Sequence, residues 1–495
     1  MVTDPGVEPP NEALRRRAVK GAGWTAVQVW GSRLVSTVVF LLLARLLEPR
    51  QFGVVALAAV FTAFLEVLVN MGFADALVQR ADLDDDHLQT AWWTSIGAAT
   101  VIALATVAGA GPLGQLTGEP RIVPVVRALA LGFLLAAANT VPNALLRRRL
   151  RFRAIAVRFT VANLLSGAFA IALALAGAGV WALVAKSLVQ TGIGLVLSLA
   201  NARWRPRLRF SRERLRDLLP FGAKATGINV LQFTGRHTDD LLIGSFIGVT
   251  ALGFYSVAYQ LLIIILTVVT STIDLVALPT FARLQDDRPR MARGYLTAVR
   301  MSSLLGFLVF AATAALAPEL VRTLFGTKWR RSVPVMQILA LSAFLAPSIS
   351  FAGTVLKAAG RPGLKLLTAV AQAVATVVGF VVVVVVFDGG IVAVAAVFTA
   401  ETFLLAPLEL WALRQVIDLP TGALAGSYVG PALGAVAFAA VVAGLRWSIG
   451  DAVGPWPFLA VAGVTATAAY LGVVRVVDRA TLAEAVRHAG ALRPG

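Results

Sequence analysis

The 495-residue chain contains no cysteine and only three histidines. The absence of cysteine excludes disulfide bonds, thiolate chemistry and cysteine-ligated metal sites. His87, His237 and His488 stand too far apart in the sequence to form a metal-ligand spacing. The chain also lacks the G-x-x-x-x-G-K-[ST] loop with which ATP-driven pumps bind phosphate. We therefore expect no cofactor, no metal and no ATP-driven transport.

Charged residues are scarce, at 14% of the chain, whereas hydrophobic residues make up 58% and the mean hydropathy is +0.80. Soluble domains contain roughly 45–50% apolar residues, so this composition indicates a membrane protein. A membrane-spanning helix needs about 20 apolar residues, and the chain supplies about fourteen such segments. The alternation of transmembrane β-strands is absent. The predicted fold is therefore an all-α polytopic membrane protein.

The positive charge lies in particular loops. The net charge is +18, which in a soluble protein would indicate nucleic acid binding. Here the arginines concentrate in alternate loops, around 147–153, 203–216 and 283–293. This distribution follows the positive-inside rule and favours contact with anionic membrane lipids. We expect a multi-pass membrane protein with both termini in the cytoplasm, and no nucleic acid partner.

Arginines interrupt two apolar segments at similar places. Arg33 follows Q-V-W-G-S, and Arg236 follows Q-F-T-G about 200 residues later. A charge at membrane depth costs roughly 3 kcal/mol, so such residues usually face a bundle interior or a wet cavity. Arginine binds phosphate through two parallel hydrogen bonds. We predict that Arg33, Arg236 and Lys224 bind a pyrophosphate group in a central cavity.

Carboxylates in the predicted spans have two possible roles, ion coupling and structural ion pairing with the arginines. A carboxylate buried in a membrane can carry a proton or bind a cation, as an exporter coupled to H⁺ or Na⁺ requires. The alternative is structural ion pairing, of Arg33 with Glu66 or of Arg236 with a neighbouring aspartate, while Lys224 snorkels to the interface. The ion-coupling candidates are Asp240, Asp239, Glu401, Glu66 and Asp274.

An internal repeat divides the chain. The segment 41–53 aligns with 241–253 at an offset of 200, and each segment joins two predicted spans. Two six-span halves with one orientation would bind a substrate between them. The predicted domains are an amino-terminal lobe at 1–202, a basic cytoplasmic linker at 203–217, a carboxy-terminal lobe at 218–414, two extra spans at 421–477 and a cytoplasmic amphipathic tail at 478–495.

Three functional classes compete with transport of a lipid-linked anion. A drug or cation antiporter should have an acidic cavity, and the arginines at membrane depth argue against it. A polyprenol-dependent glycosyltransferase would place catalytic acids in sizeable outside loops, whereas the first outside loop here covers only 48–51. We therefore predict that the chain is not an enzyme. A scaffold without transport activity explains none of the buried charges.

Several segments resemble bacterial polysaccharide exporters. They are A-R-L-L-E-P-R-Q-F-G at 44–53, G-R-H-T-D-D-L-L-I-G-S-F-I-G at 235–248, L-G-F-Y-S-V-A-Y-Q at 252–260 and P-T-F-A-R-L-Q-D at 279–286. The chain resembles the polysaccharide transporter branch, the Wzx-like flippases, of the multidrug/oligosaccharidyl-lipid/polysaccharide (MOP) superfamily. The resemblance covers roughly residues 15 to 480.

This resemblance implies two six-helix lobes in a V-shaped arrangement that work by alternating access, followed by two extra spans. It implies export of undecaprenyl-pyrophosphate-linked oligosaccharides across the bacterial inner membrane for O-antigen, capsule or exopolysaccharide. The polymerase and other assembly proteins are then the expected partners, and we expect a monomer. A cationic cavity in relatives matches Arg33 and Arg236. The resemblance does not determine which carboxylate couples to an ion, and His237 and Thr238 depart from the apolar or small pair of the family.

Overall fold

The computed structural model describes residues 31, 33–80, 82–283, 287–450 and 452–479, and the side chains at 228, 232, 235, 236, 268–283, 362 and 421 are excluded from the description. All regular structure in these residues is helical, which confirms the predicted all-α class. Within the described residues, eleven helices are long and apolar enough to cross a membrane, and a bent pair brings the number to twelve. The count of fourteen spans stays a prediction. The described residues divide into two compact units between Phe233 and Thr234.

Unit 1 contains eight helices and the first part of a ninth. Its main core lies where short α3 packs against α6, with Phe73, Leu77, Val141 and Leu146 buried. The helices are α1 (33–46), α2 (Pro49–Asn70), α3 (Phe73–Gln79), α4 (Asp85–Leu116), α5 (Ile122–Leu129), α6 (Leu131–Arg148), α7 (Phe152–Leu175), α8 (Val180–Ala202) and α9 (Arg212–Leu242).

A break between α2 and α3 packs closely against α9. Met71 and Gly72 both have positive φ, at 45° and 63°, so the chain turns sharply there. A Cβ on Gly72 would lie 2.7 Å from the carbonyl oxygen of Gly222, and a Cβ on Gly222 would collide with the carbonyl oxygen of Met71. Only glycine therefore allows the two backbones to approach this closely.

The predicted linker 203–217 belongs to unit 1. Gln89 and Trp93 of α4 hydrogen-bond its backbone, and Arg80 pairs with Asp217 at 3.2 Å. Asp84, at the N-cap of α4, accepts a hydrogen bond from the backbone N–H of His87 at 2.8 Å. Because the contacts of Gln89, Trp93 and Arg80 attach the segment to α4 and to the residue that follows α3, it packs as part of unit 1. The predicted tail 478–495 lies outside the described residues after 479.

Unit 2 contains the end of α9 and nine further helices. A π-helical turn, Ile243–Ile247, ends α9, and a second, Val382–Val386, follows α15. The helices are α10 (Val249–Arg283), α11 (Arg288–Ala315), α12 (Ala317–Leu324), α13 (Ser332–Ser342), α14 (Ala346–Ala358), α15 (Pro362–Val381), α16 (Ile391–Arg414), α17 (Thr421–Ile449) and α18 (Pro455–Val477). The pair α13 and α14 is bent by 42°.

The last two helices extend the core of unit 2. Helices α17 and α18 pack against each other, and α17 packs along α11. Phe307, Phe438, Phe458 and Tyr470 form the buried cluster between them. The hydroxyl group of Tyr470 donates a hydrogen bond to the carbonyl oxygen of Leu304 at 2.7 Å, which satisfies the one polar atom of this side chain.

The offset of 200 residues recurs in the helix boundaries. Helix α2 begins at Pro49 and α10 begins at Val249. Gly53 and Gly253 lie one turn into these helices, and both are buried. The preceding helix ends differ, since α1 ends at residue 46 without a π-helical turn and α9 ends in one.

Candidate functional site

Three cations were predicted to bind substrate. Two of them, Arg33 and Lys224, lie in unit 1 and have described side chains. Arg33 is part-buried on α1, and this helix docks on α7 through a hydrogen bond from the Asn163 amide to the Ser36 hydroxyl. Glu66 is exposed on α2 and makes no hydrogen bond or ion pair within the described residues, so the alternative pair with Arg33 is not formed. Lys224 is exposed on α9.

Two further cations in unit 1 escaped the sequence analysis. Arg158 and Lys186 are each the seventh residue of a candidate span, α7 and α8. The Arg158 guanidinium donates to the Ser198 hydroxyl at 2.6 Å and to the Asn143 side-chain oxygen at 3.2 Å. Lys186 is part-buried and has no hydrogen-bond or ion-pair partner in the described part of the chain. A scan for every cation inside an apolar segment, not only for repeated ones, would have found both.

Unit 2 contains a buried carboxylate that is hydrogen-bonded to the first of three aromatic rings in contact with one another. Asp239 of α9 is buried and accepts a hydrogen bond from the hydroxyl group of Tyr255 at 2.8 Å. Tyr255 is stacked on Tyr259, with ring centroids 6.0 Å apart, and Tyr259 makes an edge contact with Phe398 of α16 at 6.0 Å. These three rings connect the end of α9 to α16.

Asp240, beside Asp239, has different surroundings. Its side chain is about one-fifth exposed, and one oxygen lies 3.4 Å from Nδ1 of His237. Adjacent residues on a helix point in different directions. Of the two adjacent aspartates, Asp239 is therefore the enclosed one, whereas Asp240 and His237 are more exposed.

A second buried carboxylate lies on α16, three residues after Phe398. One oxygen of Glu401 accepts a hydrogen bond from the Thr376 hydroxyl at 2.7 Å, and the other has no hydrogen-bond partner among the described residues. Gly379, one turn beyond Thr376, permits this contact, because a Cβ there would lie 2.7 Å from a methyl group of Val397. The close approach of α15 to α16 therefore positions Thr376 against Glu401.

An ion pair near the other end of α16 was also missed. Nζ of Lys365 lies 2.7 Å from Oε1 of Glu409. Glu409 lines a cavity of about 310 Å³ in unit 2, together with Tyr295, Ser348 and Tyr428. The partners stand 44 residues apart on successive helices, and no sequence pattern pairs them.

Two of the predicted site residues cannot be placed. The side chains of Arg236, on α9, and Asp274, on α10, lie outside the described residues. No group of three or more His, Asp or Glu side chains in the described part of the chain could hold a metal ion. The described arrangement therefore consists of cations in unit 1 and of three buried carboxylates in unit 2. Asp239 and Glu401 each accept a hydrogen bond from a hydroxyl group, and Glu409 is paired with Lys365.

The sequence is similar to proteins that are named for polysaccharide biosynthesis. A family model described as polysaccharide biosynthesis protein matches residues 42–334. The chain is 26% identical to the teichuronic acid biosynthesis protein TuaB of Bacillus subtilis, over 86% of this chain and 89% of that protein. It is 30% identical to the succinoglycan biosynthesis transport protein ExoT of Rhizobium meliloti, over 73% of each.

The fold also matches a solved structure. The lipid II flippase MurJ, in an inward closed conformation, superposes with a TM-score of 0.74 over 92% of this chain and 98% of that chain. The sequence identity is 11%, so this likeness concerns the fold alone.

Proposed function

Since the chain belongs to the polysaccharide biosynthesis protein family, in the polysaccharide transporter branch of the MOP superfamily, we propose that it is a flippase for lipid-linked oligosaccharides. Its cargo is an undecaprenyl-pyrophosphate-linked repeat unit for an extracellular polysaccharide. It acts in the bacterial inner membrane, with both termini in the cytoplasm.

The observation that carries this proposal is the similarity to two named relatives over most of their length. One is named for teichuronic acid biosynthesis and the other for transport in succinoglycan biosynthesis. Both names concern polysaccharides, and neither concerns a drug. Polysaccharide assembly on a lipid carrier requires the polar repeat unit to cross a hydrocarbon layer, and charged groups cross such a layer only with compensating partners.

The cations of unit 1 fit the charged part of this cargo. Arg33 and Lys186 lie within apolar helices, and Lys186 has no partner in the described part of the chain. A pyrophosphate would supply a negative charge for Lys186, and an arginine binds such a group through two parallel hydrogen bonds. Arg236 and Lys224 remain candidates for the same role.

The carboxylates of unit 2 fit coupling to an ion. Asp239 and Glu401 are buried, and each receives one side-chain hydrogen bond, from Tyr255 and from Thr376. A carboxylate with so few donors in an apolar bundle is stabilised when it takes up a proton or a cation. We propose that H⁺ or Na⁺ binds at one of these two groups during each transport cycle.

The test of cargo begins with deletion of the gene and mass spectrometry of lipid-linked oligosaccharides. We expect finished repeat units to accumulate on the cytoplasmic face, with relief by the wild type but not by Arg33→Ala combined with Arg236→Ala, or by Lys186→Met. The matched control combines Arg153→Gln with Arg361→Gln, which removes two exposed cations that have no partner in the described part of the chain. This control should complement fully.

Other outcomes of the deletion would contradict the proposal. If finished repeat units do not accumulate, in a strain without a second transporter of this family, the flippase assignment fails and efflux of cationic drugs is the next activity to measure. If the cation variants and the control complement equally, the cargo does not depend on these charges.

The test of coupling uses proteoliposomes with an imposed pH or Na⁺ gradient. Glu401→Gln and Asp239→Asn keep the shape of each side chain and remove the ionisable group. We expect one of them to transport at a rate that no longer responds to the gradient. A full response in both variants would exclude both carboxylates from coupling.

A further inference from the structure

A basic segment of unit 1 follows α8 and is attached to α4 by its backbone. We call residues 203–211 the basic strap. The side-chain oxygen of Gln89 accepts a hydrogen bond from the backbone N–H of Arg207 at 2.6 Å, and its amide donates to the carbonyl oxygen of Arg205 at 3.3 Å. The Trp93 indole donates to the carbonyl oxygen of Arg207 at 2.8 Å. Because the backbone makes these bonds, the arginine side chains are not needed to hold the strap in place.

The side chains of the strap form a groove with unused positive charge. Arg203, Arg205 and Arg207 are exposed, and their guanidinium groups have no hydrogen-bond or ion-pair partner in the described part of the chain. They line a groove of about 970 Å³ together with Trp204 and Asp85. Trp204 is only 9% exposed, and its indole N–H is buried without an acceptor among the described residues. The three guanidinium groups are therefore hydrogen-bond donors that the groove offers and that no described protein group uses.

The charge of the groove favours an anion. The residues that line the groove carry three guanidinium groups and a single carboxylate, that of Asp85. This carboxylate accepts a hydrogen bond from the Gln89 amide at 3.4 Å. Phosphate oxygens match the planar donor array of guanidinium groups. Asp85 opposes such a ligand, so its removal should strengthen binding.

The strap also carries apolar side chains beside its arginines. Leu208 is 88% exposed and Phe210 is 56% exposed. Both lie shortly after the end of α8, a candidate span, and therefore near the level of the headgroups. Alternating basic and apolar side chains at this level are typical of segments that bind an anionic membrane surface. A soluble phosphate would leave these apolar groups in water.

We propose that the groove of Arg203, Trp204, Arg205 and Arg207 binds the phosphate group of an anionic phospholipid, with Leu208 and Phe210 inserted beside it. This lipid is a resident partner of unit 1 and not the transported cargo, so the proposal does not depend on the proposed function. The same chemistry would accept a free phosphate ion, and the experiment separates the two sources.

The experiment measures lipid binding to the full chain by native mass spectrometry, with phosphatidylglycerol and phosphatidylcholine added to delipidated protein. The site variant combines R203Q, R205Q and R207Q. The control variant combines R153Q, R288Q and R361Q, which removes three exposed arginines that also have no partner in the described residues. With each of the three arginines contributing a factor of about five, we expect the site variant to bind phosphatidylglycerol about a hundredfold more weakly. We expect D85N to bind it about fivefold more tightly.

Three outcomes would overturn the proposal. Equal losses in the site and control variants would mean that binding follows total charge and not this groove. Unchanged or weaker binding in D85N would mean that the lipid phosphate does not lie in the groove that Asp85 lines, and this outcome is informative even if the site variant is unstable. Inorganic phosphate, tested without anionic lipid against chloride of equal ionic strength, should not raise the unfolding temperature. A rise that the site variant abolishes would identify a free phosphate ion as the ligand.

Discussion

The ion pair between Lys365 and Glu409 gives the most direct test of the interior of unit 2. The Nζ–Oε1 distance is 2.7 Å, and the two side chains are 25% and 9% exposed. Removal of one partner from a buried pair costs about 3–5 kcal/mol because the other charge loses its compensation. Lys365 lies in the first turn of α15 and can extend toward water, so Glu409→Gln should reduce the free energy of unfolding by about 2 kcal/mol.

Removal of the cation should lower the free energy of unfolding more than removal of the carboxylate. Lys365→Met leaves the less exposed Glu409 without its cation, and we expect a loss of about 3 kcal/mol. The variant that combines Lys365→Met with Glu409→Gln removes both charges, so it should lose less than Lys365→Met alone. With single losses of about 2 and about 3 kcal/mol, this corresponds to a coupling energy of at least about 2 kcal/mol. Arg361→Gln, at an exposed position just before the same helix, is the matched control and should change stability by less than about 0.5 kcal/mol.

The assay is equilibrium unfolding in mixed micelles, followed by tryptophan fluorescence. All four variants are compared at one pH and one detergent composition, so that only the pair changes. Additive losses in the double variant would mean that Lys365 and Glu409 do not stabilise each other, and the described geometry of this pair would be refuted.

Three further predictions concern other contacts. Tyr255→Phe removes the hydrogen-bond donor of the buried Asp239 carboxylate and should lower the free energy of unfolding by about 1–3 kcal/mol. Asp239→Asn should cost less. Equal losses for the two variants in thermal unfolding would contradict this hydrogen bond. Gly222→Ala places a methyl group against a backbone carbonyl and should cost about 1–3 kcal/mol, whereas Gly227→Ala on the same helix meets no atom within 4 Å and should be neutral or stabilising. Partial burial acts to raise the pKa of Asp84, but hydrogen bonds and charge from the neighbouring histidine lower it on balance from its ordinary value of 3.8. The carboxylate therefore contributes stability above pH 3.8 that is lost as the pH falls through the lower folded-state pKa, and Asp84→Asn should flatten this part of the stability profile.

The fold was predictable because hydropathy reports burial in a membrane directly. Long apolar segments with basic loops between them can only be helical spans, and the recurrence at 41–53 and 241–253 anticipated the starts of α2 and α10. The bend between α13 and α14 was missed, although Pro347, at the start of α14, is a residue type that commonly kinks a helix. The two π-helical turns were missed as well.

The site was predictable in part, for a different reason. Asp239 and Glu401 were found because an ionisable residue in an apolar segment is visible without a structure. Their partners Tyr255 and Thr376 were not found, because contacts between helices follow from rotation and register, which hydropathy does not encode. Glu409 was overlooked because it stands near the predicted end of a span, where a charge carries little information until Lys365 is seen beside it.

The basic residues differ in their position relative to the membrane and in their ion-pair partners, and these two differences indicate their roles. Arg207 lies exposed in the basic strap, where a guanidinium group is hydrated and costs little. Lys186 lies seven residues into an apolar helix, about 10 Å from its start, and has no partner in the described part of the chain. A cation at membrane depth is unfavourable by roughly 3 kcal/mol, and a structural role would normally supply a carboxylate to offset that cost, as Glu409 does for Lys365. Lys186 is therefore the described cation whose charge is best explained by a ligand that carries its own negative charge, and the pyrophosphate of the proposed cargo has that property.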